Sequence, residues 1–263
     1  MTSVLLSNQS DSTQQKSISA DQTSSNQAEE ISYPSEDGEP VAETYDPLYA
    51  MLTTLEVLKQ FLVGEEATVL ANQFLYYSKG FPSLRVAPDV MVIFKVEPGG
   101  RDNYKIWEEG EVPSVIFEFT SNGTQDRDKV FKKTLYAQLG VQEYWMFDPR
   151  GEWIKSKLEG YRLNGEEYKK IDDQCSEPLG LRLEVEETII GFYRQDTGEK
   201  LLVPDEMRLA LQEAIQARVE AQTQFEQEKQ RADSAQKALE SERQKAAQLA
   251  EKLRELGIDP DTV

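Results

Sequence analysis

The sequence predicts an α/β fold, an α+β mixed sheet flanked by helices, followed by a long C-terminal coiled-coil helix. Short apolar runs at 88–94 and 115–120 are rich in Val, Ile and Phe, which is typical of buried strands. Apolar residues recur at helical spacing in 47–63, and 126–139 is a further helix-like run. After Pro204 the composition changes to Ala, Gln, Glu, Lys and Arg. Helices alternating with strands are typical of a mixed sheet covered by helices.

Composition excludes several classes of protein. The chain has 263 residues, enough for one domain with appendages, and a net charge of -19. It therefore lacks the overall positive field of a protein that coats nucleic acid. The absence of histidine excludes a Ser-His-Asp triad and a histidine-ligated metal. Cys175 is the single cysteine, so we expect no internal disulfide and a cytoplasmic location. We expect no membrane association, because neither a membrane-span run nor a signal-peptide pattern is found.

The chain divides into four predicted segments. Residues 1–32 are rich in Ser, Gln, Thr and Asn, so we expect a disordered tail. Residues 33–203 form the globular domain, 204–257 the coiled-coil helix and 258–263 a short tail.

The first half of the domain should open with a helix and continue into strands. Asp46 is a plausible N-cap, with Pro47 at the first position of a helix that extends to Val63. Residues 68–77 predict a strand ahead of the two apolar runs, and 104–113 a long connection.

The second half continues with helix 126–139, which Gly140 should end in a left-handed cap. A strand at 143–147 follows, and short alternating runs over 152–203 predict several antiparallel strands.

A seven-residue frame extends over 207–256 and predicts a coiled coil. Twelve of its fifteen positions are apolar, the exceptions being Arg218, Glu228 and Glu242. We expect a homo-oligomer through this segment. The alternative is a single helix that folds back on its own domain. The frame consists of Met207, Leu211, Ala214, Arg218, Ala221, Phe225, Glu228, Ala232, Ala235, Leu239, Glu242, Ala246, Leu249, Leu253 and Leu256.

Two carboxylates lie where strands would be buried. Asp89 and Glu118 interrupt the apolar runs, and a buried charge is costly unless it is paired or holds a metal. Carboxylates on neighbouring strands can hold Mg²⁺ or Mn²⁺, which prefer oxygen ligands. Such a cation activates water for attack on a phosphodiester. The pair therefore predicts a metal-dependent hydrolase site.

A lysine should complete this site by orienting the attacking water or neutralising charge. Lys132 is the first candidate, because it shares one helix face with Asp128 and Tyr136. Lys129 and Lys133 lie on other faces and rank lower.

Several separated motifs together resemble the Uma-two family of restriction endonucleases, within the PD-(D/E)XK nuclease superfamily. The resemblance covers about 33–203 and implies a restriction-endonuclease-like core in which Asp89 and Glu118 bind the metal. It also implies duplex DNA as the substrate. The motifs are Pro88-Asp89, Glu118-Phe119-Thr120-Ser121, Asp128…Lys132…Tyr136, Gly140-Val141-Gln142-Glu143-Tyr144-Trp145 and Asp148-Pro149.

The chain departs from the superfamily pattern at Thr120, where a lysine is expected two residues after the glutamate. The resemblance implies that this lysine has moved to the helix, at Lys132. The resemblance also implies a glutamate from the first helix as a further metal ligand, with Glu56 the first candidate and Glu43 the alternative.

The leading functional prediction is a Mg²⁺-dependent DNA endonuclease. A non-catalytic scaffold with a nuclease-like core, assembled through its coiled coil, is the alternative, and the net negative charge favours it. A hydrolase of another phosphodiester is a third possibility.

Overall fold

The structure, a computed structural model of the chain, describes residues 31–38, 44–120 and 126–257. In the helix that begins at Asp126, side chains are described from Val130 onward. All elements given below belong to the unit that begins at Pro34. The predictions that fall outside the described residues concern the tails at 1–30 and 258–263, Glu43, and the side chains of Asp128 and Lys129.

Four helices and thirteen strands are formed within the described residues. The helices are α1 (Tyr45–Phe61), α2 (Ile106–Glu109), α3 (Asp126–Leu139) and α4 (Pro204–Glu255). The strands are β1 (Ala67–Ala71), β2 (Leu75–Tyr76), β3 (Arg85–Val86), β4 (Val90–Phe94), β5 (Tyr104–Lys105), β6 (Val115–Phe119), β7 (Glu143–Phe147), β8 (Leu158–Asn164), β9 (Glu167–Ile171), β10 (Cys175–Ser176), β11 (Leu181–Glu186), β12 (Ile189–Arg194) and β13 (Lys200–Leu201).

The central sheet has six strands in the order β1-β4-β6-β7-β8-β9. Strands β6 and β7 are parallel, whereas the other neighbours are antiparallel. The sheet is mixed, which confirms the predicted α/β class. Strands β10 to β13 form a second, antiparallel sheet, and β2, β3 and β5 form a small third one.

Helices α1 and α3 contribute to opposite faces of the central sheet. Successive residues of a strand point to opposite faces, so the apolar residues of β4 and β6 divide between two clusters. Val90 and Phe117 pack on the side of α1, with Leu58. Met91 packs on the side of α3, with Tyr136. Because both faces are covered, the two strands are nearly continuous apolar runs.

The start of α1 differs from the prediction. The helix begins at Tyr45 with Thr44 as its N-cap, so Pro47 is the third helical residue. Asp46 lies in the first turn, and its Oδ2 accepts a hydrogen bond of 2.8 Å from Nε of Arg150. The expected N-cap role of Asp46 is therefore wrong, because the helix begins two residues earlier than predicted and places Asp46 inside its first turn.

Two further boundaries differ. The strand predicted over 68–77 is divided into β1 and β2, with Asn72 between them in a left-handed conformation at φ 52°. Asparagine tolerates this conformation better than most residues. The connection predicted at 104–113 contains the short strand β5 and the helix α2.

Helix α4 is long and exposed. It has 52 residues, none of them buried, and would be about 78 Å long at ~1.5 Å per residue. Gly257 follows it with φ +76°, in the left-handed conformation expected after a helix. No helix among the described residues has both the length and the apolar character of a membrane span.

Candidate active site

Asp89 and Glu118 face each other across two antiparallel strands. Val90 of β4 pairs with Phe117 of β6, and continuing this register by one residue brings Asp89 opposite Glu118. Opposite residues of an antiparallel pair have Cβ atoms roughly 5 Å apart. The two carboxyl groups are close enough that Glu118 raises the pKa of Asp89. The fold therefore brings the two predicted acids together on one face of the sheet.

Asp89 is held in a setting that disfavours its charge. Burial raises the pKa of Asp89 from 3.8 to about 7, and the neighbouring Glu118 acts in the same direction. The backbone N–H of Phe119, which donates to Oδ2 of Asp89 at 2.6 Å, lowers the pKa, as does Lys132. Near neutral pH the two carboxyl groups therefore bind a proton readily. A cation bound between them would compensate the negative charge of the ionised pair in the same way.

Glu118 is bonded at both of its carboxylate oxygens. It is 8% exposed, near the end of β6. Nζ of Lys132 donates to Oε2 at 2.8 Å, and the hydroxyl of Tyr136 donates to Oε1 at 2.7 Å. Both donors come from α3, four residues apart, and therefore from one face of that helix. Helix α3 thus fixes the orientation of the Glu118 carboxylate.

Lys133 points elsewhere. Its ammonium lies 3.2 Å from the centroid of the Tyr161 ring, in a cation–π contact on the same side of the sheet but away from Glu118. Burial lowers the pKa of Lys133. Of these two neighbouring lysines, Lys132 is the one that contacts the acidic pair.

Tyr136 is a site residue to which sequence reasoning assigned no function. The sequence predicts that Tyr136 shares a helix face with Lys132, but its contact with Glu118 depends on how α3 packs on the sheet. Tyr136 is completely buried, and its ring packs edge-on against Tyr144 at 5.5 Å between centroids. Burial and the Glu118 carboxylate raise the pKa of Tyr136 well above 10, so it remains a hydrogen-bond donor.

Thr120 occupies the position where the superfamily pattern has lysine. Its backbone N–H donates to the carbonyl of Phe147 at 2.8 Å, and the side chain is buried. The ammonium group at the site instead reaches Glu118 from α3, through Lys132.

The structure does not bring Glu56 to the acidic pair. Glu56 lies on α1, which packs on the face of Val90 and Phe117, opposite to the face that carries Asp89 and Glu118. Its side chain is 54% exposed and pairs with Lys59 at 3.4 Å. In this structure Glu56 therefore cannot share a cation with the two acids.

The donor set fits a hard divalent cation with a partly hydrated shell. Asp89 and Glu118 supply carboxylate oxygens, and no group of three or more His, Cys, Asp or Glu with metal-binding geometry is found among the described residues. Mg²⁺ commonly keeps several waters and binds through one or two carboxylates. The chemistry of these two carboxylates therefore matches the ligand preference of Mg²⁺ and Mn²⁺.

Together, these elements define an α/β protein with a mixed sheet, in which two paired acids and a lysine lie on one face of that sheet. A family model described as "Putative restriction endonuclease" matches residues 50–197, more than half of the chain. The chain belongs to this family, Uma2, which confirms the resemblance to the Uma-two family. The matched segment contains Asp89, Glu118, Lys132 and Tyr136. Family membership supports a hydrolase of the nuclease class.

Among solved structures, one similar chain is from Anabaena variabilis and is described as "a putative nuclease belonging to DUF820". It is 12% identical, with a TM-score of 0.40, and the match covers 60% of this chain and 79% of that chain. The search of curated proteins returned no match.

Proposed function

We propose that the protein is a metal-dependent DNA endonuclease that hydrolyses phosphodiester bonds with Mg²⁺ or Mn²⁺. Asp89 and Glu118 would hold the cation. The observation that carries the proposal is the contact of Lys132 with Glu118 at 2.8 Å, beside Asp89. This contact brings two acids and an ammonium group together at one end of the paired strands β4 and β6.

The acids bring negative charge that requires compensation. Burial and Glu118 raise the pKa of Asp89, so an ionised pair is unfavourable without a cation. When bound, a divalent cation would polarise the phosphodiester and lower the pKa of a bound water.

Lys132 contributes an ammonium group next to the metal ligands. Because its stem projects from α3, the ammonium can orient an attacking water or stabilise negative charge on the phosphoryl group. Tyr136 holds Glu118 in place by donating to Oε1, and its raised pKa keeps the donor proton present. These two residues prepare the site, which reduces reorganisation during the reaction.

DNA is the proposed substrate because of family membership. The net charge of -19 opposes binding to a polyanion at long range. Binding should therefore depend on the divalent cation and on local cations such as Lys132.

A second candidate is a non-catalytic assembly protein. The exposed helix α4 and the net negative charge favour it. Such a protein would keep the acidic pair as a structural feature and would not hydrolyse a substrate.

The test is incubation of the full-length protein with supercoiled plasmid in Mg²⁺, in Mn²⁺ and with a chelator. The proposal expects nicked and linear DNA with either metal and intact plasmid with the chelator. Intact plasmid under all conditions, with hydrolysis of a small aryl phosphodiester, would favour another phosphodiesterase. Intact plasmid without any hydrolysis would favour the assembly protein.

A further inference from the structure

Helix α4 has an apolar surface that the other described residues leave open. Its first turns contact α1, where Nε2 of Gln60 donates to Sδ of Met207 at 3.3 Å. Among the described residues of the helix, eight large apolar side chains are half or more exposed. They are Leu209, Leu211, Ile215, Val219, Phe225, Leu239, Leu249 and Leu256.

The seven-residue frame of this helix is interrupted by charges at Arg218, Glu228 and Glu242. A charge in a coiled-coil seam costs stability but can specify orientation and register. The positions of these three charges therefore restrict how the helix can pair.

We propose that α4 pairs with α4 of a second copy in an antiparallel coiled coil centred on Gln230. In that register, each frame position from Met207 to Leu253 faces another frame position of the second copy, because facing residues lie at equal distances from Gln230 along the chain. The layers from one end to the centre are Met207 with Leu253, Leu211 with Leu249, Ala214 with Ala246, Arg218 with Glu242, Ala221 with Leu239, Phe225 with Ala235, and Glu228 with Ala232 of the second copy.

Charge complementarity supports this arrangement. Arg218 of each copy faces Glu242 of the other, so that two of the three charged positions combine in one ion pair, which is formed twice in the dimer. Glu228 faces Ala232 of the second copy and lies within about one helical turn of Lys229 of that copy. A seam charge that meets its opposite is compensated, whereas a buried charge without a partner is strongly destabilising.

Side-chain size is also complementary. The large residues near the centre meet alanine, Phe225 against Ala235 and Leu239 against Ala221 of the second copy. Alternation of large and small residues lets facing layers interdigitate. Near each end, Leu211 meets Leu249 of the second copy and forms an apolar layer.

A parallel dimer in register would be much less favourable. It would place Arg218 against Arg218, Glu228 against Glu228 and Glu242 against Glu242, giving three layers of like charge. Staggering the parallel helices by one heptad removes these clashes but leaves the terminal apolar layers unpaired.

Antiparallel pairing has a consequence for the domains. Each copy's domain precedes α4, so the two domains would be attached at opposite ends of a rod about 78 Å long. The two acidic sites would then act at separate places rather than together on one short stretch of duplex.

Cysteine cross-linking tests the orientation in the full-length chain. In a Cys175→Ser background, Ala214→Cys and Ala246→Cys are made separately, because the Ala–Ala layer lets the backbones approach closely. Antiparallel pairing predicts a covalent dimer when the two variants are mixed and oxidised, and none from either alone. Cross-linking of each variant with itself would indicate parallel pairing and overturn the proposal, as would the absence of any cross-link.

Charge reversal tests the register, measured by sedimentation. Arg218→Glu puts a glutamate opposite Glu242 of the second copy in both layers that held an ion pair. The like charges should weaken dimerisation about tenfold or more. Adding Glu242→Arg restores opposite charges and should return the dissociation constant to within about threefold of the original. Both side chains are exposed in the single chain, so the domain should keep its fold. An unaltered dissociation constant for Arg218→Glu, no rescue by the double variant, or a monomeric original protein would each refute the proposal.

Discussion

The hydroxyl group of Tyr136 donates a hydrogen bond of 2.7 Å to Oε1 of Glu118, inside the cluster between α3 and the central sheet. The other oxygen of this carboxylate, Oε2, accepts a hydrogen bond from the ammonium group of Lys132. One helix face therefore controls the orientation of an acid that belongs to a strand. This connection makes separate predictions for stability and for activity.

Replacement of Tyr136 by phenylalanine should destabilise the protein. The change removes one hydroxyl group and leaves a nearly buried carboxylate oxygen without that donor, which costs about 1.5–3 kcal/mol for a hydrogen bond to a charged group. Urea unfolding of Tyr136→Phe against the wild type measures the loss. The matched control is Tyr45→Phe, which alters an exposed tyrosine of α1. Equal stability of Tyr136→Phe and the wild type would show that the hydrogen bond contributes nothing.

Lys132 should be needed for cleavage and Lys133 should not. Loss of a preorganised charge near the reacting groups commonly costs about 10²–10³-fold in rate. Lys132→Ala should show a loss of that order, whereas Lys133→Ala should keep nearly full activity, because its ammonium lies over the Tyr161 ring. Lys129→Ala completes the comparison of the three candidates.

Initial rates of plasmid nicking at saturating metal measure these effects. If Lys133→Ala or Lys129→Ala abolished cleavage while Lys132→Ala did not, the assignment of the lysine would be wrong.

The raised pKa of Asp89 predicts how stability depends on pH without metal. Its pKa is about 7 in the folded chain and ordinarily 3.8, so between these values the folded state holds the proton more tightly. Stability should therefore fall as pH rises from about 4 through 7, because the unfolded state binds fewer protons.

Urea unfolding in the presence of a chelator, at several pH values between 4 and 8, measures this dependence. Asp89→Asn cannot ionise and should show a smaller fall in stability than the wild type over the same range. Parallel curves for the two proteins would mean that Asp89 does not carry the effect.

The fold makes a prediction at Gly160, which faces Trp145 across β7 and β8. A Cβ atom at Gly160 would lie 2.4 Å from the fully buried Trp145 ring. Gly160→Ala should therefore destabilise the domain by about 1–3 kcal/mol, the usual cost of overpacking. Gly100→Ala is the control, because a Cβ there meets no atom within 4 Å. Similar stability of the two variants in thermal unfolding would contradict this packing.

Local sequence patterns predicted the elements that carry the site. The bounds of α3 and β7 agree with the expected ranges 126–139 and 143–147, because a clear period and a glycine or proline boundary define each. Asp89 and Glu118 could be identified as site candidates from the sequence, because each is a single carboxylate in an apolar run. A charge in a strand that is buried on both faces requires a partner or a metal.

Features that depend on distant parts of the chain were not predictable in this way. Helical periodicity shows that α1 has an apolar face, but it does not show which side of the sheet that face covers. Because α1 covers the side opposite to Asp89 and Glu118, Glu56 lies away from the two acids. The pairing of Asp46 with Arg150 joins residues 104 positions apart, so a local capping rule could not foresee it. The contact of Tyr136 with Glu118 likewise depends on helix docking.

The central claim is that Asp89 and Glu118 bind the cation that supports DNA cleavage. Mg²⁺-dependent nicking of supercoiled plasmid by two matched variants tests it most directly. Asp89→Asn removes a carboxylate from the site, whereas Glu56→Gln removes one from the opposite side of the sheet. The account predicts loss of cleavage in Asp89→Asn and wild-type cleavage in Glu56→Gln, with both proteins folded by circular dichroism. Wild-type cleavage by folded Asp89→Asn would contradict it.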